Sequence, residues 1–286
     1  MSFEDEGDQV AGADALQATI REHFLSKLPT PRMSDVSDDL SGLVARFVLG
    51  RQTEALRSAV VLARESLGHL ALPFVRPACE ERIWTAYLYS LQKDSRDQVL
   101  IHMAMLESTK TVSAQQQFLG LKEMKRLGFP KEFVNAQAKA RKLAEAELAR
   151  LGQRLGWPAD RGPLPSMGWV ASEAKLDQLY SFLYAASSKG VHFSPYEVLR
   201  SGWSSDPRPD AAVEIMADPY ARYRTEFTIH WLSVLLIETV MVLAEHGPLA
   251  DVELDDGAEI QSAAEKVGSA GRLPIALAAE FNLNSE

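Results

Sequence analysis

Residues 180–192 read Y-S-F-L-Y-A-A-S-S-K-G-V-H, a run that begins as a buried helix and ends in groups able to do chemistry. Tyr180, Leu183, Tyr184 and Ser187 or Ser188 recur at spacings of three, four and seven or eight, so one helical face carries aromatic rings and then hydroxyls. Lys189, Gly190 and His192 follow at the helix end. Histidine changes charge near neutral pH, which makes His192, beside Ser188, the leading candidate for a general acid or base.

The helical period continues outward in both directions. Leu16, Ile20, Phe24 and Leu28 form a stripe that Pro29 and Pro31 end. Ser37 or Asp38 can cap a long helix through Leu40, Phe47, Leu56 and Leu67, with Gly50 as a candidate break. Ile83, Trp84, Tyr87, Leu88 and Leu91 give the segment after Pro77 a wide apolar face, which predicts a central helix. Gly128-Phe129-Pro130 stops one helix and starts another, and Asp218-Pro219 opens the most apolar helix, closed by Gly247-Pro248. Ser172 with Glu173 is the expected cap of the Tyr180 helix. No strand-period segment competes, so the chain is expected to be all-α, a multi-helix bundle with long central helices.

The 286 residues, 46% hydrophobic, suffice for one sizeable core. The sole cysteine, Cys79, has no partner for an internal disulfide and suits a reducing compartment, and the acidic N-terminus has no signal pattern; the expectation is a cytoplasmic protein. Residues 1–14 carry five acids and no base, and residues 251–286 carry eight acids against Lys266 and Arg272, leaving +2 for the rest of a chain whose net charge is −9. The predicted organisation is an acidic flexible segment at 1–14, a helical domain at 15–250 with a candidate break in the Pro-rich loop 156–168, and an acidic tail or loosely packed helix at 251–286. Ile229–Ala244, with Glu238 inside it, is short for a bilayer and reads as a core helix, so no membrane association is expected.

Two separated stretches, R-P-A-C-E-E-R-I-W-T-A-Y-L at 76–88 and L-Y-S-F-L-Y-A-A-S-S-K-G-V-H at 179–192, resemble a bacterial domain-of-unknown-function family grouped with HEPN-like helical domains. That family pairs an early Arg-x-x-x-Glu helix with a later Tyr-rich helix ending in Ser-x-x-x-His. The resemblance covers about residues 40–250 and implies a HEPN-like bundle, metal-independent RNA cleavage in toxin–antitoxin or phage-defence settings, and action through a homodimer. The chain departs from HEPN nucleases in having no arginine four to six residues before His192. Arg64 and His69, Arg96 and His102, and Arg224 and His230 do have that spacing.

Arg76 and Glu80, four apart, can pair on one helix face. On the functional reading Arg76 stands over a phosphate, Glu80 orients it, His192 moves protons, Ser188 donates a hydrogen bond, and Tyr180, Tyr184 and Lys189 hold the substrate, with the RNA 2′-hydroxyl as nucleophile. On the alternative reading these side chains bond to one another and fix two helices, and the protein is a non-catalytic module that binds a ligand or a partner protein, the latter through its acidic tails. No cofactor is called for: there is no phosphate-binding glycine loop, and one cysteine with six scattered histidines does not make a metal site. Glu238, odd on an apolar face, calls for an arginine such as Arg82 or Arg224 rather than a metal.

Overall fold

A helix that is apolar on nearly every side has to be surrounded, and the rest of the bundle is built around one. The computed structural model describes residues 6–26, 39–158, 162–191, 194–200, 202–203, 214–215 and 218–249, with positions 212, 261–262, 264–265 and 275. The helices are α1 (Glu6–Thr19), α2 (Leu40–Arg64), α3 (Val75–Ser90), α4 (Lys93–Arg126), α5 (Lys131–Leu155), α6 (Met167–Glu173), α7 (Asp177–Val191), α8 (Pro195–Arg200) and α9 (Asp218–His246). The fold is all-α; a two-residue antiparallel ladder, Gly202–Trp203 with Glu214–Ile215, is its one departure among the described residues.

The surrounded helix is α9. Tyr220, Tyr223, Phe227, Ile229, Leu232, Leu235, Leu236, Val240 and Leu243 are all buried, packed on α1, α2, α3 and the 3-10 turn Gly68–Phe74. Two of its buried hydroxyls return to its own backbone, Thr225 to the Ala221 carbonyl and Thr239 to that of Leu235. Tyr220–His246 is long and apolar enough to cross a bilayer, against the expectation that its apolar stretch is too short for one, but most of that stretch is buried against its neighbours.

Against expectation, α1 begins at Glu6, so part of the segment read as an acidic flexible terminus is helical. Gln9 is buried and donates from Nε2 to the Glu226 carbonyl at 3.1 Å, tying α1 to α9. The last turn of the first stripe is a π-helix, Ile20–Leu25, with Ile20 and Phe24 in the core. Asp39 caps α2 by accepting from the Gly42 N–H at 3.3 Å, and the helix passes Gly50 unbroken. Ser37 and Asp38, the caps read from the sequence, lie outside the described residues.

The helix α3 is central, as its aromatic face implied. It packs on α9, α7, α6 and α2, with Ala78, Cys79, Ile83, Tyr87 and Leu88 buried. In contrast, α4 and α5 pair mainly with each other as a projecting hairpin, kinked at Gly120 with φ 76° and joined to the core through Val99, Leu106, Leu148 and Leu151. Gly156 ends α5 at φ 73°, a left-handed position that favours glycine, and turns Trp157 inward to donate from Nε1 to the Tyr87 hydroxyl at 2.6 Å. The expected Ser172–Glu173 cap is corrected: both residues lie inside α6, and Lys175, at φ 58°, turns the chain before α7 starts at Asp177.

Candidate functional site

Arg76 lies in the first turn of α3 and Tyr180 and Tyr184 on one face of α7, and the packing of α3 on α7 brings them together. The Arg76 Nε donates to Glu80 Oε1 at 3.0 Å, the i,i+4 pair expected from the sequence. The guanidinium carbon sits 4.8 Å from the centre of the Tyr184 ring, and the Tyr184 and Tyr180 rings are 5.5 Å apart at 46°. The hydrogen bond that Arg76 donates to Glu80 raises the Arg76 pKa, so the group is a permanent cation. Burial, with the Glu80 charge second, pushes the Tyr180 phenol up and keeps it protonated. The seam thus presents a fixed guanidinium, clamped on one edge by a carboxylate and supported on one face by a half-open ring, which suits a phosphate oxygen and an adjoining flat base.

The remaining members of the predicted site stand differently. Ser188 is half-buried one turn beyond Tyr184 on α7. Ser187, next to it, is buried and donates to the Leu183 carbonyl at 2.5 Å, which leaves Ser188 as the hydroxyl to consider. The backbone of Lys189 closes α7, but its side chain and the whole of His192 lie outside the described residues. Four of the seven candidates, Arg76, Glu80, Tyr180 and Tyr184, are therefore in mutual contact or one contact removed.

The arginines of the competing Arg/His spacings are each engaged by another side chain. Arg96 donates to the Ser41 hydroxyl at 3.0 Å and lies over the Tyr89 ring at 4.3 Å, Arg64 pairs with Asp14 at 2.6 Å, and Arg224 donates to the Tyr220 hydroxyl at 3.0 Å. Glu238 has the arginine its setting called for, Arg82 at 3.2 Å. No group of three metal-ligating side chains occurs among the described residues. What the sequence reading missed is the pair Arg51–Glu81 at 3.0 Å, next to Glu80 on α3; the two lie 30 positions apart, and no periodicity announces them.

Comparison with known proteins adds one match: the model of a family of unknown function covers residues 43–208, a span that includes both the Arg76-x-x-x-Glu80 turn and the whole of α7. No curated protein and no solved structure matches the chain.

Proposed function

Since the chain belongs to DUF5677, a family of unknown function, its activity must be argued from its own side chains, and we propose that the α3–α7 seam binds RNA and, with His192, cleaves it without a metal ion. The observation that carries this reading is the Arg76 guanidinium held between Glu80 and the Tyr184 ring. A cation so fixed stabilises charge on the two non-bridging oxygens of a phosphodiester without having to be reorganised when the reaction begins. Tyr180, Tyr184 and Ser188 are spaced by four, and the same spacing reaches His192 in the sequence.

In the proposed reaction the 2′-hydroxyl attacks phosphorus, its proton passing to His192, and the bond to the 5′-oxygen breaks as that oxygen takes up a proton. A cyclic 2′,3′-phosphate and a 5′-hydroxyl result, and no oxidant, metal or cofactor is consumed. Such chemistry fits a HEPN-like effector of a toxin or phage-defence system in the cytoplasm. The experiment is incubation of the purified protein with total RNA in a chelator, beside Arg76→Ala and His192→Ala. Cleavage by the unmodified chain that both variants lose while staying folded supports the reading; no cleavage, or equal cleavage by all three, overturns it.

A second reading, a non-catalytic interaction module, is favoured by the projecting hairpin, where Phe118 is 89% exposed and Leu121, Leu127 and Phe133 are partly so. Residues 119–154 add nine bases against four acids. On that reading the hairpin rather than the seam is the working surface, and variants at Phe118 and Leu121 abolish partner capture while Arg76→Ala does not.

A further inference from the structure

Where three helices meet, side chains ordinarily fill the junction to the density of an organic crystal. The junction of α2, α3 and α4 does not close: it holds a cavity of about 390 Å³ floored by Val44, Val48, Trp84, Leu100 and Met103. One end is shut by a polar knot in which the Tyr89 hydroxyl donates to the Ser41 carbonyl at 2.9 Å and Arg96 lies over the Tyr89 ring. The other end runs to the Arg51–Glu81 pair, and beyond that pair lies a second hollow of about 300 Å³ that shares Arg51, Pro77 and Glu81 and includes Gln52, Ala55 and Phe74.

We propose that this groove binds a small organic cation, an ammonium group carried on an aromatic or aliphatic body, with Glu81 as the carboxylate that receives the ammonium. Among the described residues that line the two hollows the charges are Glu54, Glu80, Glu81 and Glu107 against Arg51, with Arg96 at the closed end. A carboxylate or phosphate ligand would meet a surplus of like charge, whereas an ammonium meets its complement. Glu54 and Glu80 are engaged by Arg57 and Arg76, and of the two remaining acids Glu81 is the one that lines both hollows.

The pair itself is lopsided. The Glu81 side chain is 16% exposed and fixed on the central helix, while the Arg51 side chain is 71% exposed. A solvated arginine gives up its place at little cost, since so exposed a partner holds an ion pair only weakly. Burial pushes the Glu81 carboxyl up, and Arg51, with a hydrogen bond from Gln52 behind it, pulls it only partly back. Gln52 is the polar neighbour of Glu81 on the groove wall. Gln52 is 2% exposed, its Nε2 donates to the Ala78 carbonyl at 3.2 Å, and its Oε1 has no partner among the described residues. Arg51 therefore stands where a ligand ammonium belongs, and a ligand that displaces it gains the apolar floor as well, with the Trp84 ring alongside.

The test uses 2-phenylethylamine and 3-phenylpropionate, similar in ring and reach but opposite in charge, titrated calorimetrically into the full chain. The expected result is saturable binding of the amine alone, weaker by about tenfold or more in Glu81→Gln and tighter in Arg51→Ala. Met103→Trp fills the cavity without touching a charge and abolishes binding, so the question is decided even where Glu81→Gln fails to fold; circular dichroism and melting report folding. The proposal is overturned by equal or better binding of the acid, by no binding of either up to about 10 mM, or by unchanged amine affinity in Met103→Trp.

Discussion

The Nε of Arg82 on α3 lies 3.2 Å from Oε2 of Glu238 on α9, a bridge between two helices that pack directly on each other. The partners are unequal: Arg82 is 8% exposed, whereas a third of the Glu238 side chain reaches solvent. Burial depresses the Arg82 pKa and Glu238 opposes that shift, so the carboxylate is what keeps the guanidinium tolerable there. Glu238→Leu strands a buried cation and is expected to cost about 3–5 kcal/mol. Arg82→Leu leaves a carboxylate that can turn to water, and should cost less; Arg82→Met combined with Glu238→Leu should recover much of the loss. Urea unfolding of the three variants checks the ordering, and equal costs for the two single changes would refute the asymmetry.

Alkaline pH should expose a second consequence of burial. Cys79, 2% exposed on α3, has its thiol pushed up to about 12 from an ordinary 9.0, chiefly by desolvation and secondly by Glu80 and Glu238. The folded state then holds a proton that the unfolded state releases. This contribution is complete below pH 9 and is lost as pH rises from there to about 12. Tyr87 and Tyr180, also raised by burial, act in the same direction. Cys79→Ala should therefore flatten the fall in stability over that window relative to the unmodified chain. Denaturation midpoints at several pH values measure it, and a parallel fall in both proteins would sink the idea.

The long elements were legible because each repeats one physical signal many times. The apolar run of α9 ended where Gly247 and Pro248 said it would, and Gly128–Pro130 placed the turn of the α4–α5 hairpin. The partner of Glu238 could be anticipated because a carboxylate on an apolar face has few tolerable neighbours. Failures fell where one local cue stood alone. Ser172 and Glu173 form a plausible cap, yet the short helix α6 absorbs them, because Trp169 and Ala171 pack there against α3 and the core. The acidic residues before Asp14 concealed a helix held by Gln9, whose buried amide bond to Glu226 crosses 217 positions. At the candidate site, the Arg76–Glu80 pair was visible at i,i+4 and the two tyrosines shared a face; that α3 and α7 pack so as to join the pairs is a matter of tertiary structure.

Gly152 shows a packing constraint that no pattern in the chain announces. A methyl group there would lie 2.8 Å from Cε3 of the Trp157 ring, which is itself fixed by the hydrogen bond to Tyr87 and abuts the turn of the chain at Gly156. Gly152→Ala is expected to destabilise the protein by about 1–3 kcal/mol through overpacking, despite alanine's better helix propensity. Tyr87→Phe, which keeps the ring but orphans the indole N–H, should cost about 1–3 kcal/mol. If both act by loosening the same indole, the double variant costs less than the sum of the two. Thermal melts of the three proteins, read beside tryptophan fluorescence, check this; strict additivity would separate the two effects.

The ring beneath Arg76 separates binding from folding at the candidate site. Tyr184 is 41% exposed, so removing it opens no cavity in the core, yet its ring faces the guanidinium at 4.8 Å. Tyr184→Leu should leave urea stability within about 0.5 kcal/mol of the unmodified chain. If the seam takes a phosphate and a base together, the same change should weaken binding of a short single-stranded RNA by about 1–3 kcal/mol, the usual worth of one base stacked on an aromatic ring, while Tyr184→Phe binds nearly as well as tyrosine. Fluorescence anisotropy at two salt concentrations reads both variants. Arg76→Ala should reduce the salt dependence as well as the affinity, because it removes a phosphate contact rather than a stacking surface. An RNA affinity that ignores both Tyr184→Leu and Arg76→Ala would place any RNA binding elsewhere, with the basic hairpin of α4 and α5 the next surface to test.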